Sequence, residues 1–148
     1  MHRILIVKAG FYEEIVNELL RGAVQHLQMI GVKYDQITVP GAFEIPGAIS
    51  MAFQSSLKGG VSYDGYLPLG CVIRGETNHY DYICSESARG IMQLSLRNNL
   101  VIVYGILTVE NAQQAWERAK IENGKNKGKE FAEACMKMIS LRCRFSIT

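Results

Sequence analysis

Apolar residues along the chain recur with two alternating periods. Arg3-Ile4-Leu5-Ile6-Val7 is a short apolar run closed by Ala9-Gly10, the pattern of a buried strand. From residue 12 to about residue 30, apolar side chains return at Ile15, Val16, Leu19, Leu20, Ala23, Leu27 and Ile30, which is one face of a helix. Glu13 and Glu14 favour the positive end of its dipole, and Gly31 stops it. Residues 32–39 predict a second strand, broken by Pro40-Gly41. Pro46 suits the first turn of a helix, where its missing N–H would be unpaired anyway. That helix runs through Ile49, Ala52 and Phe53 to about residue 57.

Beyond the loop Lys58-Gly59-Gly60, residues 66–73 form a near-continuous apolar strand despite Pro68, the pattern of a strand buried on both faces. A helix is expected from about residue 80 to 97, and a fourth strand over residues 100–107. Asn111 with Gln114 resembles a capping box and opens a helix through Trp116. After the polar stretch 122–128, a last helix carries Phe131, Cys135, Met138 and Ile139 on one face. The order β-α-β-α-β-α-β-α-α predicts an α/β protein with a parallel sheet covered by helices on both faces. No internal repeat, low-complexity tract or linker divides the chain, so residues 1–148 are expected to form a single domain.

Composition narrows the chemistry more than the fold. A chain of 148 residues can bury a core without disulfides or metals. A net charge of +2, with no basic stripe interleaved with aromatics, argues against a nucleic-acid partner. The apolar run at residues 4–7 is too short for a secretory signal or a membrane span, so no membrane association is expected. Cys71, Cys84, Cys135 and Cys143 include no CxxC pair and no metal-like clustering with histidine. Each falls in an apolar pattern, where a free thiol acts as a small hydrophobe. A reducing, cytoplasmic setting without a bound metal is the natural reading.

In parallel sheets of this kind, ligands bind beyond the carboxyl ends of the strands. The loop after strand one holds Phe11, which either stacks on a planar heterocycle or staples the helix start to the core; alone, the staple is favoured. The loop after strand two packs two prolines and two glycines around Ala42, Phe43 and Glu44. Glu44 precedes the helix start and is balanced between a cap and a ligand for hydroxyl groups. The loop after strand three is Arg74-Gly75-Glu76-Thr77-Asn78-His79. Gly75 permits close backbone approach, the following helix start offers unpaired N–H groups to a phosphate, and Thr77 adds a hydroxyl. His79 lies beside that anion site, and histidine is the side chain whose ordinary pKa suits proton transfer at neutral pH. Catalyst and surface residue are evenly matched for it. Arg74 could grip phosphate or hold the loop through an acidic partner, with the structural role favoured. Neither the P-loop spacing nor a GxGxxG fingerprint is present, which argues against a nucleotide cofactor.

Three segments together resemble the lumazine synthase family. They are Val39-Pro40-Gly41-Ala42-Phe43-Glu44-Ile45-Pro46, Gly70-Cys71-Val72-Ile73-Arg74-Gly75-Glu76-Thr77-Asn78-His79-Tyr80-Asp81, and Asn126-Lys127-Gly128. The likeness runs from about Ile4 to the last helix. It implies a flavodoxin-like α/β/α sandwich with a four-stranded parallel sheet, assembled as a homopentamer with active sites between subunits. It implies two small-molecule substrates, 5-amino-6-ribitylaminouracil and 3,4-dihydroxy-2-butanone 4-phosphate. They are condensed to 6,7-dimethyl-8-ribityllumazine with release of phosphate and water, and no cofactor is required.

The resemblance also implies roles for particular residues. Phe11 would stack on the uracil ring, while Ala42, Phe43 and Glu44 line the ring and ribityl site, with Glu44 accepting from ribityl hydroxyls. Val72 and Ile73, at the end of strand three, belong to the same substrate-binding set. Gly75, Glu76 and Thr77 would bind phosphate, largely through backbone N–H groups, and His79 would be the acid/base. A neighbouring subunit would supply Tyr104 over the ligand, Arg118 to phosphate and Lys127 to the uracil carbonyl region, with Glu130 beside that lysine. Two positions depart from the family pattern: Tyr12 stands where Asn is common, and Tyr104 where Phe is frequent. Some members build capsids from pentamers. The absence of an N-terminal arm before the first strand, and a slightly longer segment between Arg118 and Lys127, favour a free pentamer here. The competing readings are a riboflavin synthase of the same fold and a non-catalytic flavin- or lumazine-binding protein. Thr77, His79 and Arg118 argue against them.

Overall fold

A computed structural model describes residues 1–147. Its elements are β1 (Arg3–Ala9), α1 (Glu13–Met29), β2 (Lys33–Val39), α2 (Ile45–Leu57), β3 (Gly65–Ile73), α3 (His79–Asn98), β4 (Gly105–Val109), α4 (Ala112–Ala119) and α5 (Lys127–Arg144). A single 3-10 turn, Ala42–Glu44, leads into α2. The four strands form one all-parallel sheet in the order β2-β1-β3-β4. The period-2 alternation of β1 splits its side chains between two cores. Ile4 and Ile6 meet Val16, Leu19, Leu27, Cys135 and Ile139 on the α1/α4/α5 side, whereas Leu5, Val7 and Ala9 meet Ala42, Ile45, Ile49 and Ile91 under α2 and α3. This is the expected three-layer α/β/α sandwich with flavodoxin-like topology.

The central strand β3 is buried from Gly65 through Val72, as its continuous apolar run requires. Helices α1 and α5 approach so closely that a Cβ on Gly128 would collide with the carbonyl oxygen of Leu19. Asn126 takes the left-handed conformation just before, with φ of 46°, and its side chain accepts from the N–H of Lys129. Of the four residues expected on the buried face of α5, Cys135 and Ile139 are buried and Phe131 is half-buried. Met138 is exposed, and Ala132 takes the buried position instead. Ile30, expected on the inner face of α1, lies past the helix end and is likewise exposed.

The fourth strand corrects the sequence expectation of residues 100–107. Regular pairing starts only at Gly105 and continues to Val109, opposite Leu69 to Ile73. Upstream, only an isolated bridge joins Ile102 to Tyr66. The interruption falls opposite Pro68, which has no N–H to give a neighbouring strand. Gly105 passes so near the Pro68 carbonyl oxygen that a side chain could not fit. The apolar pattern is continuous through this break, so hydrophobicity alone could not reveal it.

Candidate active site

The order β2-β1-β3-β4 reverses direction between β1 and β3, and a crevice opens beyond the carboxyl ends of the strands at such a switch point. A cavity of about 620 Å³ lies there. Three loops wall it: Phe11 and Tyr12 after β1, Pro40 to Glu44 after β2, and residues from Val72 to Tyr80 at the end of β3. Its volume is in the range that holds a small organic ligand.

Nine of the thirteen residues expected at the site share this wall: Phe11, Ala42, Phe43, Glu44, Val72, Ile73, Gly75, Thr77 and His79. Glu76 lies between two of them on the loop but is exposed and outside the wall. Tyr104, Arg118 and Lys127 also stand outside the cavity of their own chain. Pro40, Gly41, Cys71, Tyr80 and Ile83 line it without having been singled out from sequence. Helical spacing could have flagged the last two, because Tyr80 and Ile83 share a face of α3 one residue past His79.

The structure removes one reading each for Phe11 and Glu44 that the sequence left open. Phe11 is 65 % exposed, so it does not staple α1 to the core. Glu44 makes no side-chain capping bond although it occupies the N-cap position of α2, which leaves its carboxylate available to a ligand. The turn is fixed instead by backbone bonds: Gly10 N–H donates to the Val39 carbonyl at 2.8 Å, and Phe11 N–H to the Pro40 carbonyl at 3.1 Å.

The loop after β3 is anchored by Arg74. Its N–H donates to the Val109 carbonyl at 2.9 Å, joining the β3 and β4 ends. Its guanidinium donates to Glu110 Oε2 at 2.9 Å, lies 3.3 Å from Asp81 Oδ1, and sits 4.3 Å from the centre of the Tyr80 ring. Arg74 therefore holds the loop shape and does not enter the cavity wall. It also neutralises Asp81, a carboxylate in the first turn of α3 that would otherwise oppose an anion there. Asn78 makes no side-chain cap at that helix start, and Thr77 Oγ1 accepts from the His79 N–H at 3.3 Å. The Asn78 side chain therefore leaves this helix start uncapped, Thr77 holds its first N–H, and the side chain of His79, its first residue, is exposed.

Cys71 is the thiol of the cavity wall, and its surroundings disfavour the thiolate. Burial pushes the Cys71 thiol up to about 12, so it stays protonated at neutral pH. Cys84, behind Tyr80, is raised in the same direction, first by burial. Among the described residues, no three His, Cys, Asp or Glu side chains gather as metal ligands would.

The three outlying residues each have a defined local frame. Arg118 donates from Nη1 to the Gln114 carbonyl at 2.9 Å on α4. That helix opens with the expected cap: Asn111 Oδ1 accepts from Gln114 N–H at 2.9 Å, while the Gln114 side chain reaches back to the N–H of Glu110 at 2.8 Å. Lys127 opens α5 with its Nζ 2.9 Å from Glu130 Oε2. The Tyr104 hydroxyl lies 3.0 Å from Ser87 Oγ, and burial raises the phenol's pKa.

Comparison with known proteins gives a consistent result. The family model described as 6,7-dimethyl-8-ribityllumazine synthase matches residues 1–142. A 6,7-dimethyl-8-ribityllumazine synthase of Bartonella tribocorum is 54% identical over 96% of this chain and 91% of its own length. The enzyme of the same name from Bartonella bacilliformis is 55% identical with the same two coverages. The 6,7-dimethyl-8-ribityllumazine synthase 1 of Rhizobium meliloti is 49% identical over 95% of this chain and 92% of its own length.

Proposed function

The chain belongs to the 6,7-dimethyl-8-ribityllumazine synthase family, and from that premise we propose that the cavity beyond β1, β2 and β3 is where its reaction takes place. The protein is a transferase that condenses 5-amino-6-(D-ribitylamino)uracil with 3,4-dihydroxy-2-butanone 4-phosphate. The products are 6,7-dimethyl-8-ribityllumazine, phosphate and water, in the penultimate step of riboflavin biosynthesis.

In our reading Phe11 stacks on the uracil ring, Ala42, Phe43, Val72 and Ile73 shape its slot, and Glu44 accepts from the ribityl hydroxyls. The backbone of Gly75, Glu76 and Thr77 holds the phosphate. The observation carrying this reading is that one cavity joins an exposed aromatic at one strand end to an open helix start at another. Condensing an amine with a ketone and eliminating phosphate both require proton transfers, and His79 shuttles them. Arg118, forked and always charged, suits a bidentate grip on the phosphate. Much of the remaining acceleration comes from holding two substrates in register.

The complete site lies between two subunits of a homopentamer, with Tyr104, Arg118 and Lys127 arriving from a neighbour. Supporting this, those three side chains stand outside the cavity of their own chain. Met51 on α2, and Met92 and Leu96 on α3, are exposed apolar side chains of the kind a subunit contact covers. We place residues 1–148 as one domain working in the cytoplasm; no helix among the described residues is long and apolar enough to cross a membrane. Mixing the purified protein with both substrates tests the assignment. Lumazine fluorescence and free phosphate appear one for one, and omitting either substrate abolishes both signals; a flavin-binding protein without turnover would give neither.

A further inference from the structure

Tyr12 is the one bulky side chain of the cavity wall held in the left-handed conformation, with φ of 56° and ψ of 52°. An aromatic residue is disfavoured there, whereas Gly or Asn would adopt it readily. The conformation has a visible consequence. Phe11 and Tyr12 are consecutive, yet both side chains reach the same cavity. Their rings meet edge to face, with centroids 4.8 Å apart and planes at 89°. Tyr12 also opens α1, since its carbonyl accepts from the Val16 N–H at 3.1 Å, with no side-chain cap taking part. The turn is thus built around the aromatic pair, and backbone strain of this kind gathers at working sites.

We propose that Tyr12 is a specificity-determining residue: its ring sets the orientation of Phe11 and completes an aromatic corner that receives the planar pyrimidine of the amine substrate. The assignment rests on the cavity being the reaction site, as proposed above. An exposed phenylalanine alone turns among rotamers. Backed edge-on by Tyr12, it presents one face to the cavity, and the ordering of that ring is no longer drawn from substrate binding. The phosphate substrate, held at the α3 start, makes no use of this corner.

The test is steady-state kinetics of Tyr12→Asn, Tyr12→Phe and the unaltered protein, with each substrate varied in turn, beside thermal unfolding of all three. Tyr12→Asn suits the left-handed position, so its melting temperature is expected to be no lower than that of the parent. Its KM for the pyrimidine rises roughly 2- to 10-fold, the worth of one aromatic pair, while KM for the phosphate ketone stays within error. Tyr12→Phe restores the parent KM for the pyrimidine. An unchanged pyrimidine KM in Tyr12→Asn, or an equal rise for both substrates, would overturn the proposal while leaving the site assignment intact. Failure of the parent protein to form lumazine would strike the site assignment itself.

Discussion

Arg74 Nε donates to Glu110 Oε2 at 2.9 Å, so the residue following β3 is tied to the residue following β4. The same guanidinium meets Asp81 and the Tyr80 ring in the first turn of α3. One cation thus fixes the loop that precedes His79 from three sides.

These ion pairs are exposed, and exposed pairs contribute only about 0–1 kcal/mol to folding. Their effect is expected on the site. Arg74→Met should leave the melting temperature nearly unchanged and raise KM for the phosphate ketone several-fold, because Asp81 is then uncompensated beside the bound anion. Isothermal titration with inorganic phosphate and steady-state kinetics both read this out.

Arg118→Ala should raise KM for the phosphate ketone on the order of 10- to 100-fold, the worth of a charge-assisted contact, with a smaller effect on the pyrimidine. A shared site adds a sharper expectation. Phe11→Ala and Arg118→Ala chains, co-expressed and assayed at low ketone, should regain up to roughly a quarter of native activity, since random mixing in a ring restores that share of junctions. Activity no higher than the average of the two separate variants would place the whole site within one chain.

Gly128→Ala tests the packing. Its Cβ would collide with the Leu19 backbone, so α5 must shift off α1 at a cost of about 1–3 kcal/mol. Urea unfolding should show an earlier midpoint with an unchanged slope.

Alkaline pH should weaken the fold. Burial pushes the thiols of Cys71 and Cys135 each up to about 12 from an ordinary 9.0. Between those values the native chain keeps protons that the unfolded chain has released, so stability falls as pH rises. The contribution is present in full below about pH 9 and is lost progressively towards 12. Urea midpoints measured between pH 8 and 10.5 should decline, and Cys135→Ala should flatten part of that decline.

Periodicity makes most of this fold legible in the sequence. Ile15 through Leu27 traced α1, and the unbroken run from Tyr66 to Ile73 identified the central strand. The start of β4 escaped because Pro68 and Gly105 break the pairing without breaking the apolar pattern. At the site, topology pointed to the loops that follow the strands, while the roles of Phe11, Ala42, Phe43, Val72 and Ile73 came only from the family resemblance. Tyr80 and Ile83 were missed because they reach the cavity from a helix turn. The alternatives for Phe11, Glu44 and Arg74 turned on exposure and partners, which only a folded chain supplies.

We propose that this cavity makes the lumazine and that His79 moves the protons. Turnover of both substrates by the native protein and by His79→Ala, followed together by lumazine fluorescence and phosphate release, tests it most directly. The native protein should form equal amounts of lumazine and phosphate. In the variant both rates should fall together by roughly 100-fold or more without vanishing. An unchanged rate in His79→Ala, or no lumazine from the native protein, would contradict it.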